Sequence, residues 1–429
     1  MKLSWLGAAV LGAATAHAVE QITAVGNKFF TSSGKQFFAK GIAYQLVEDD
    51  PLIDAEQCSR DAALMKTLGT NSLRVYHVDP KADHTKCMEI FDKAGIYLMI
   101  DLDTFDTYIL PDDPWWNQTQ HDRYAEVMDA FIKYDNVLAF FVGNEIISKP
   151  THSTAAPYIK AACRDMKAHR ARKGYRPVPV GYSAADIAEL RPMLQDYLTC
   201  GGNSSENVDF FALNSYSWCD PANYQTSGYV GLQKQAANFP VPILFSETGC
   251  NVPGPRLFDD QDAIFGPDMI NDWSGSIVYE WIEEANHYGL ISYGPPVAMT
   301  ATGVNVKGGF TRAGTPTPVS PDFNNLKTKW ATISPTGVAM SNYDPAHVST
   351  RVCPTSTSGG WLVNGNVALP TVGETFKGTY STVPSATGSG GQVAPPSPTS
   401  TDNPAAPNRE IAGMSAGLVG VMLFFTFWL

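Results

Sequence analysis

Residues 137–145 read Val-Leu-Ala-Phe-Phe-Val-Gly-Asn-Glu: an apolar run that ends, without a gap, in Gly143-Asn144-Glu145. A run this short, rich in branched and aromatic side chains and apolar at consecutive positions, reads as a strand buried on both faces, as in a parallel sheet. The same pattern recurs at Phe37–Tyr44, Ser72–Val78, Tyr97–Leu102, Val178–Tyr182, Val208–Asn214, Ile243–Ser246 and Gly275–Trp281, giving eight strands. Helical patterns lie between them. Asp54 caps a run through Leu68 with Gln57 in the capping-box position, and Gln120–Tyr134 and Ala155–Arg172 carry apolar residues at three and four spacing. Eight such units imply a closed (β/α)8 TIM barrel of the α/β class. It is preceded by an N-terminal hairpin over Ile22–Phe38 that turns at Gly26-Asn27 and Ser33-Gly34, and followed by a small C-terminal β appendage from Val304 to Val372.

A barrel presents its chemistry at the C-terminal ends of its strands. Glu145 ends the fourth strand, and Glu247, within Phe245-Ser246-Glu247-Thr248-Gly249, ends the seventh. Paired carboxyls at that edge are the minimum equipment for breaking a glycosidic bond, one giving a proton and the other attacking, with about 5 to 5.5 Å between them when configuration is retained. Gln45, Arg74, Tyr76, Asp101, Asp103, Tyr216, Tyr279 and Glu280 fall at the same edge. Arg74 and a tyrosine such as Tyr216 or Tyr279 beside Glu247 would favour its charged form. A single strand-end carboxylate is more simply a cap or an ion-pair partner, and that reading applies to Asp103, Glu280, Glu283 and Glu284. The tyrosines could equally be core aromatics with internal partners. Trp115-Trp116 is either an exposed sugar platform or a loop anchor. The eight histidines show no metal-ligand spacing, so no metal and no cofactor are expected.

The chain ends carry targeting signals. Lys2, the apolar stretch Leu3–Ala14 and Ala16-His17-Ala18 form a signal peptide over residues 1–18. The apolar tail Leu418–Leu429 follows a polar spacer around Asn403–Glu410, the pattern of a glycosylphosphatidylinositol (GPI) anchor signal over 406–429, with attachment expected between Thr399 and Ala406. A single membrane helix is the alternative, for which the apolar stretch is short. Residues 19–372 form the catalytic unit and 373–405 a Ser/Thr/Pro/Gly-rich linker. With 44% hydrophobic and 17% charged residues the chain can bury a large core, and a net charge of −12 argues against nucleic acid as a partner. Seven cysteines in an exported chain imply disulfides with one thiol over; Cys163, on an amphipathic helix, is the candidate spare, and spacing leaves the pairing of the other six open. Asn117-Gln118-Thr119 and Asn203-Ser204-Ser205 are glycosylation sequons at Asn117 and Asn203.

Gly41-Ile-Ala-Tyr-Gln45, Leu73-Arg-Val-Tyr76, Gly143-Asn-Glu145, Asp209-Phe-Phe-Ala-Leu-Asn-Ser-Tyr-Ser-Trp-Cys219, Phe245-Ser-Glu-Thr-Gly-Cys250 and Tyr279-Glu-Trp281 jointly resemble the fungal β-1,3-glucanosyltransferases of glycoside hydrolase family 72, from about Ile22 to Cys353. The resemblance implies Glu145 as acid/base, Glu247 as nucleophile, and sugar binding at Gln45, Tyr76, Asp101, Asn144, Tyr216 and Tyr279. It further implies disulfides joining Cys58 with Cys87, Cys200 with Cys353 and Cys219 with Cys250. Its partners would be a β-1,3-glucan donor and acceptor and, through the lipid anchor, the outer leaflet of the plasma membrane, with the protein a monomer at the cell surface or in the wall. No cysteine follows Cys353, so the chain resembles the branch without the cysteine-rich carbohydrate-binding module. A hydrolytic endo-β-1,3-glucanase and a non-catalytic wall or adhesion protein are the alternative functions.

Overall fold

The computed structural model describes residues 19–47, 50–303, 305–348 and 350–381; the expected signal peptide, the anchor signal and the linker beyond residue 381 lie outside them. The described chain opens with a three-stranded antiparallel sheet, β1 (Ile22–Val25), β2 (Lys28–Thr31) and β3 (Gln36–Phe37). Gly26 makes the two-residue turn possible: its φ is 54°, and a Cβ there would lie 2.3 Å from the Tyr343 hydroxyl.

Strands and helices then alternate: β4 (Ala39–Ala43), α1 (Ala55–Leu68), β5 (Ser72–Val75), α2 (Thr85–Ala94), β6 (Tyr97–Asp101), α3 (Gln118–Phe131), β7 (Val137–Asn144), α4 (Ala156–Arg172), β8 (Val180–Ala185), α5 (Arg191–Thr199), β9 (Phe210–Asn214), α6 (Tyr229–Ala236), β10 (Ile243–Thr248), α7 (Asp259–Ile264) and β11 (Trp273–Val278). β4 to β11 pair in parallel and β11 returns to β4, closing the expected eight-stranded barrel. The seam depends on Gly275, where φ is 110° and a Cβ would meet the Ala39 carbonyl oxygen at 2.1 Å.

Period-two alternation sorts each strand's side chains between two cores. Leu73, Val75, Phe211, Leu213 and Phe245 face the helices, while Met99, Ala139, Phe141, Phe210, Ala212, Leu244 and Ile277 fill the interior. The hairpin closes the N-terminal end of that interior. Ile22, Phe29 and Phe37 join the same cluster, with Phe29 6.1 Å from Phe210 and Phe37 edge-on to Tyr97 at 5.0 Å. The floor is therefore sealed and only the C-terminal mouth is open.

Several local expectations are corrected. The first expected strand, Phe37–Tyr44, divides between the hairpin and the barrel, and the eighth ends at Val278, so Tyr279 and Glu280 stand just past it. Asp54 caps α1 through the Glu56 and Gln57 amides, but Gln57 donates instead to Asp61 and accepts from Arg60 and Gly314. Gln57 Oε1, the atom a capping box would offer to the Asp54 amide, is taken by Arg60 and Gly314, and the reciprocal box occurs at Asn117 and Gln120. The C-terminal appendage is less β than expected. Only two-residue pieces occur, β12 (Ile291–Ser292), β13 (Val306–Lys307), β14 (Phe310–Thr311) and β15 (Thr317–Pro318); β12 lies before Val304 and pairs with β15, and β13 pairs with β14. Its main packing unit is α8 (Asp322–Thr332), which buries Phe323, Leu326 and Trp330, residues at helical rather than strand spacing. Beyond it, Trp361 packs on Tyr197, and the Phe376 amide donates to the Tyr158 hydroxyl.

Cys58–Cys87, Cys200–Cys353 and Cys219–Cys250 are bonded, and Cys163 is free and buried. Burial pushes the Cys163 thiol up to about 12, which makes it inert. Cys200–Cys353 closes a loop with a sequence separation of 153 and returns the appendage to the end of α5. Replacing both of these cysteines by Ala is expected to cost about 2–5 kcal/mol of stability, read as a lowered denaturant midpoint. An unchanged midpoint would show that α8 and Trp361 hold the appendage without the bond.

Candidate active site

Alternation along β5 sends Arg74 into the barrel and Tyr76 to its rim. The Arg74 side chain is wholly buried, its guanidinium lying 4.4 Å from the Tyr76 ring centre and 4.6 Å from that of Phe141. A buried cation needs opposing charge and a partner for every donor. Nε and Nη2 fork onto Asp101 at 3.2 and 2.9 Å, Nη2 also reaches Asn144 Oδ1 at 2.9 Å, and Nη1 contacts Ser183, Asn214 and Glu247 Oε1 at 3.1, 3.3 and 3.2 Å. Burial alone would lower the Arg74 pKa; Asp101, Tyr76 and Glu247 hold it above its ordinary value.

Both catalytic candidates sit where strand geometry breaks. Pairing of β10 shifts register between Phe245 and Thr248, so that consecutive residues Ser246 and Glu247 both join the polar network. β7 shifts between Phe141 and Asn144, and Glu145 takes a left-handed φ of 50°, a conformation that a non-glycine residue keeps only when its surroundings enforce it. The Glu145 amide donates to the Ser183 carbonyl at 2.9 Å. Glu247 is fully buried; Oε1 accepts from the Tyr76 hydroxyl at 2.9 Å and Oε2 from that of Tyr216 at 2.6 Å. Glu145 is half-buried, and its Oε1 accepts from Asn214 Nδ2 at 3.0 Å. Asn214 thus ties Glu145 to the network around Arg74, its Oδ1 meeting Arg74 and the hydroxyls of Ser183 and Ser246.

Burial raises both carboxyls. It drives Glu247 up to about 7, and the Glu145 charge adds to this, against the pull of Arg74 and the two tyrosine hydroxyls. Glu145 is raised by burial, with the Asn214 hydrogen bond and Arg74 pulling it down. Arg74 touches Asp101 and Glu247 but not Glu145, so a proton shared by the pair is least costly on Glu145.

Gln45 and Tyr279 form the neighbouring wall. Tyr279 does not reach Glu247; its oxygen accepts from Gln45 Nε2 at 2.7 Å, and Tyr76 supplies the second tyrosine hydroxyl at Glu247 instead. Gln45 also donates to Glu280 at 2.6 Å, and Asn286 donates to the other Glu280 oxygen at 2.7 Å. Burial, then Glu284, lifts Glu280 well above the glutamate range, and its two oxygens fix Gln45 and Asn286. Tyr216, Tyr279 and Tyr288 pack edge to face at 5.4 to 6.2 Å. Asn214 and Tyr288 were missed in the sequence, although inward alternation from Ala212 marks position 214.

The remaining candidates are dispersed. Asp101 is buried and spends both oxygens on Arg74. Glu283 pairs with His287 and Glu284 with Arg312. Trp116 is buried and donates to Asp165, the loop-anchor role, whereas Trp115 is exposed. Asn117 caps α3 at the surface, and Asn203 is exposed. Among the described residues no group of three or more His, Cys, Asp or Glu is placed to hold a metal.

Residues 11–307 match the family described as Glucanosyltransferase, glycoside hydrolase family 72. Protein EPD1 of Candida maltosa is 40% identical over 371 residues, 83% of this chain and 64% of that protein. A 1,3-beta-glucanosyltransferase of Arthroderma benhamiae is 40% identical over 358 residues, 80% of this chain and 61% of that one, so the chain spans less than two thirds of both relatives. A crystal structure of a Saccharomyces cerevisiae Gas2p mutant in complex with laminaritetraose and laminaripentaose is similar with a TM-score of 0.73 at 37% identity, covering 82% of this chain and 75% of that chain. From the barrel, the two carboxyls at its mouth and these matches it follows that the chain belongs to the glucanosyltransferase family, glycoside hydrolase family 72.

Proposed function

We propose that this protein is a retaining β-1,3-glucan transglycosidase that cleaves a glucan internally and joins the new reducing end to the non-reducing end of another chain. The observation that carries the reading is the Glu247 carboxyl, hydrogen-bonded by Arg74, Tyr76 and Tyr216, on a strand paired at that position with Asn214, whose amide holds the Glu145 carboxyl. Glu247 attacks the anomeric carbon while Glu145 passes its proton to the departing oxygen, leaving a glycosyl ester on Glu247. Glu145, now ionised, takes the proton of the incoming 3-hydroxyl, which displaces Glu247 and forms the new bond. Water in place of that hydroxyl gives hydrolysis.

Around the reacting sugar, Asn144, whose Oδ1 is occupied by Arg74 and Asn214, offers its Nδ2 to the 2-hydroxyl. Gln45, Tyr76, Tyr216 and Tyr279 line the sugar. Asp101 acts through Arg74 as a positioning residue. The aromatic wall of Tyr216, Tyr279 and Tyr288 favours a sugar acceptor over water.

Attachment to the outer membrane leaflet by a GPI anchor and glycosylation at Asn117 and Asn203 complete the proposal, with the protein acting as a monomer at the cell surface. Among the described residues no helix is long and apolar enough to cross a membrane.

Incubation with one purified laminari-oligosaccharide is expected to give products both longer and shorter than the input; only shorter products would establish the glucanase instead. Glu145→Gln should slow transfer about 100- to 10,000-fold, and Glu247→Gln at least as much. Activity unchanged in both variants would leave only the non-catalytic wall protein.

The ionised fraction of Glu247 falls as pH drops through its raised pKa, and the protonated fraction of Glu145 falls as pH climbs through its own. A bell-shaped kcat/KM is therefore expected, its acidic limb lying above the ordinary glutamate value of about 4.3. Arg74→Lys keeps the charge but cannot fork onto Asp101, so kcat should fall by about 100-fold while the acidic limb moves little. A large upward move of that limb would mean that the lysine ammonium no longer reaches Glu247.

A further inference from the structure

Glu280 directly follows Tyr279 beyond the end of β11 and is fully buried, yet the proposed reaction gives its carboxyl no part. Its place is fixed from behind. The Glu280 amide donates to the Tyr288 carbonyl at 3.1 Å, and its carbonyl accepts from the Leu290 amide at 3.0 Å. Asn286 Oδ1 accepts from the Tyr288 amide at 3.1 Å, a donor whose role cannot reverse, so Asn286 turns its Nδ2 to Glu280 Oε1. The other oxygen, Oε2, accepts from Gln45 Nε2 at 2.6 Å, and this is the one contact by which the carboxyl touches the site.

The consequence falls on Gln45, which is half-buried. Its Nε2 carries two hydrogens, one directed to Glu280 and the other to the Tyr279 hydroxyl oxygen at 2.7 Å. Gln45 Oε1, an acceptor, and the Tyr279 hydroxyl hydrogen, a donor, are left without a partner among the described residues. An acceptor beside a donor suits a sugar hydroxyl, which donates and accepts at once. Tyr279 cannot by itself keep the amide that way round, because a hydroxyl is satisfied by either end of an amide. The last torsion of a glutamine is broad and twofold, so Glu280 alone selects between the two orientations.

We propose that Glu280 is a positioning residue, which holds the Gln45 amide in one orientation so that Gln45 Oε1 and the Tyr279 hydroxyl meet a hydroxyl of the reacting sugar as a matched pair. The inference rests on the proposed function for its ligand and on the contacts among Glu280, Gln45, Tyr279 and Asn286 for its geometry. Glu280 moves no proton in the reaction and touches no sugar. Its effect reaches the substrate through Gln45.

The test is a double-mutant cycle read on turnover of one laminari-oligosaccharide, with transfer and hydrolysis counted together. Glu280→Met keeps the volume and removes both side-chain hydrogen bonds, and an apolar side chain in place of a buried carboxyl need not lower stability. It should reduce kcat/KM about 10-fold in the wild-type background and less than about twofold in the Gln45→Ala background, with no fall in the thermal midpoint. Glu280→Gln combined with Asn286→Asp reverses the Asn286 contact and keeps an oxygen towards Gln45, so kcat/KM should return to within about threefold of wild type. If the methionine variant does not fold, Glu280→Asp, whose carboxyl is one methylene short of Gln45, takes its place in the cycle. Equal losses in both backgrounds, or no loss in either, would overturn the assignment, while longer products from the wild-type enzyme would leave the proposed function standing. If the wild-type enzyme turns over no laminari-oligosaccharide, that function falls and the role of Glu280 with it.

Discussion

The site is organised by one constraint: a guanidinium that water cannot reach must have its charge and all its donors met by protein. Arg74 meets it by drawing in groups from six strand ends, Asp101 on β6, Asn144 on β7, Ser183 on β8, Asn214 on β9 and Glu247 on β10, with its own strand β5 supplying Tyr76 as a lid. Breaking any of these contacts would leave buried charge uncompensated, which costs more than the contact itself contributes. The rigidity needed for chemistry thus comes from the expense of disorder around a single cation.

The same cation divides labour between two glutamates that differ little as residues. Three carboxyls, Asp101, Glu145 and Glu247, share the neighbourhood of one fixed positive charge, and the two that touch it are best able to stay ionised. Glu145 touches a neutral amide and feels Arg74 without touching it, so it is the natural seat of the proton. The proposed acid and nucleophile are separated by contact geometry, while burial raises both.

The barrel was legible because buried parallel strands are apolar at consecutive positions, as in Val137–Asn144, and because the rim positions then follow from topology. What could not be read were departures from regular alternation. The register shifts in β7 and β10 bring Asn144 with Glu145, and Ser246 with Glu247, to the same side, which a period-two reading forbids. Side-chain partner choice was equally hidden: Gln57 turning its Oε1 to Arg60 and Gly314 in place of its helix cap, and Tyr279 serving Gln45 in place of Glu247, depend on distances that no spacing encodes. The short α8 was obscured by polar flanks, although Phe323, Leu326 and Trp330 carry its period. Disulfide connectivity came from family resemblance, because six cysteines by themselves leave it open.

The hairpin that stoppers the barrel floor with Phe29 and Phe37 has a kinetic corollary. In the proposed reaction, with one end blocked, everything that meets the glycosyl ester arrives and departs through a single doorway, the severed fragment outbound and its replacement inbound. The two cannot occupy the same berth together, so turnover becomes an exchange in strict succession, and the interval in which the berth stands empty is the window that solvent has to intervene.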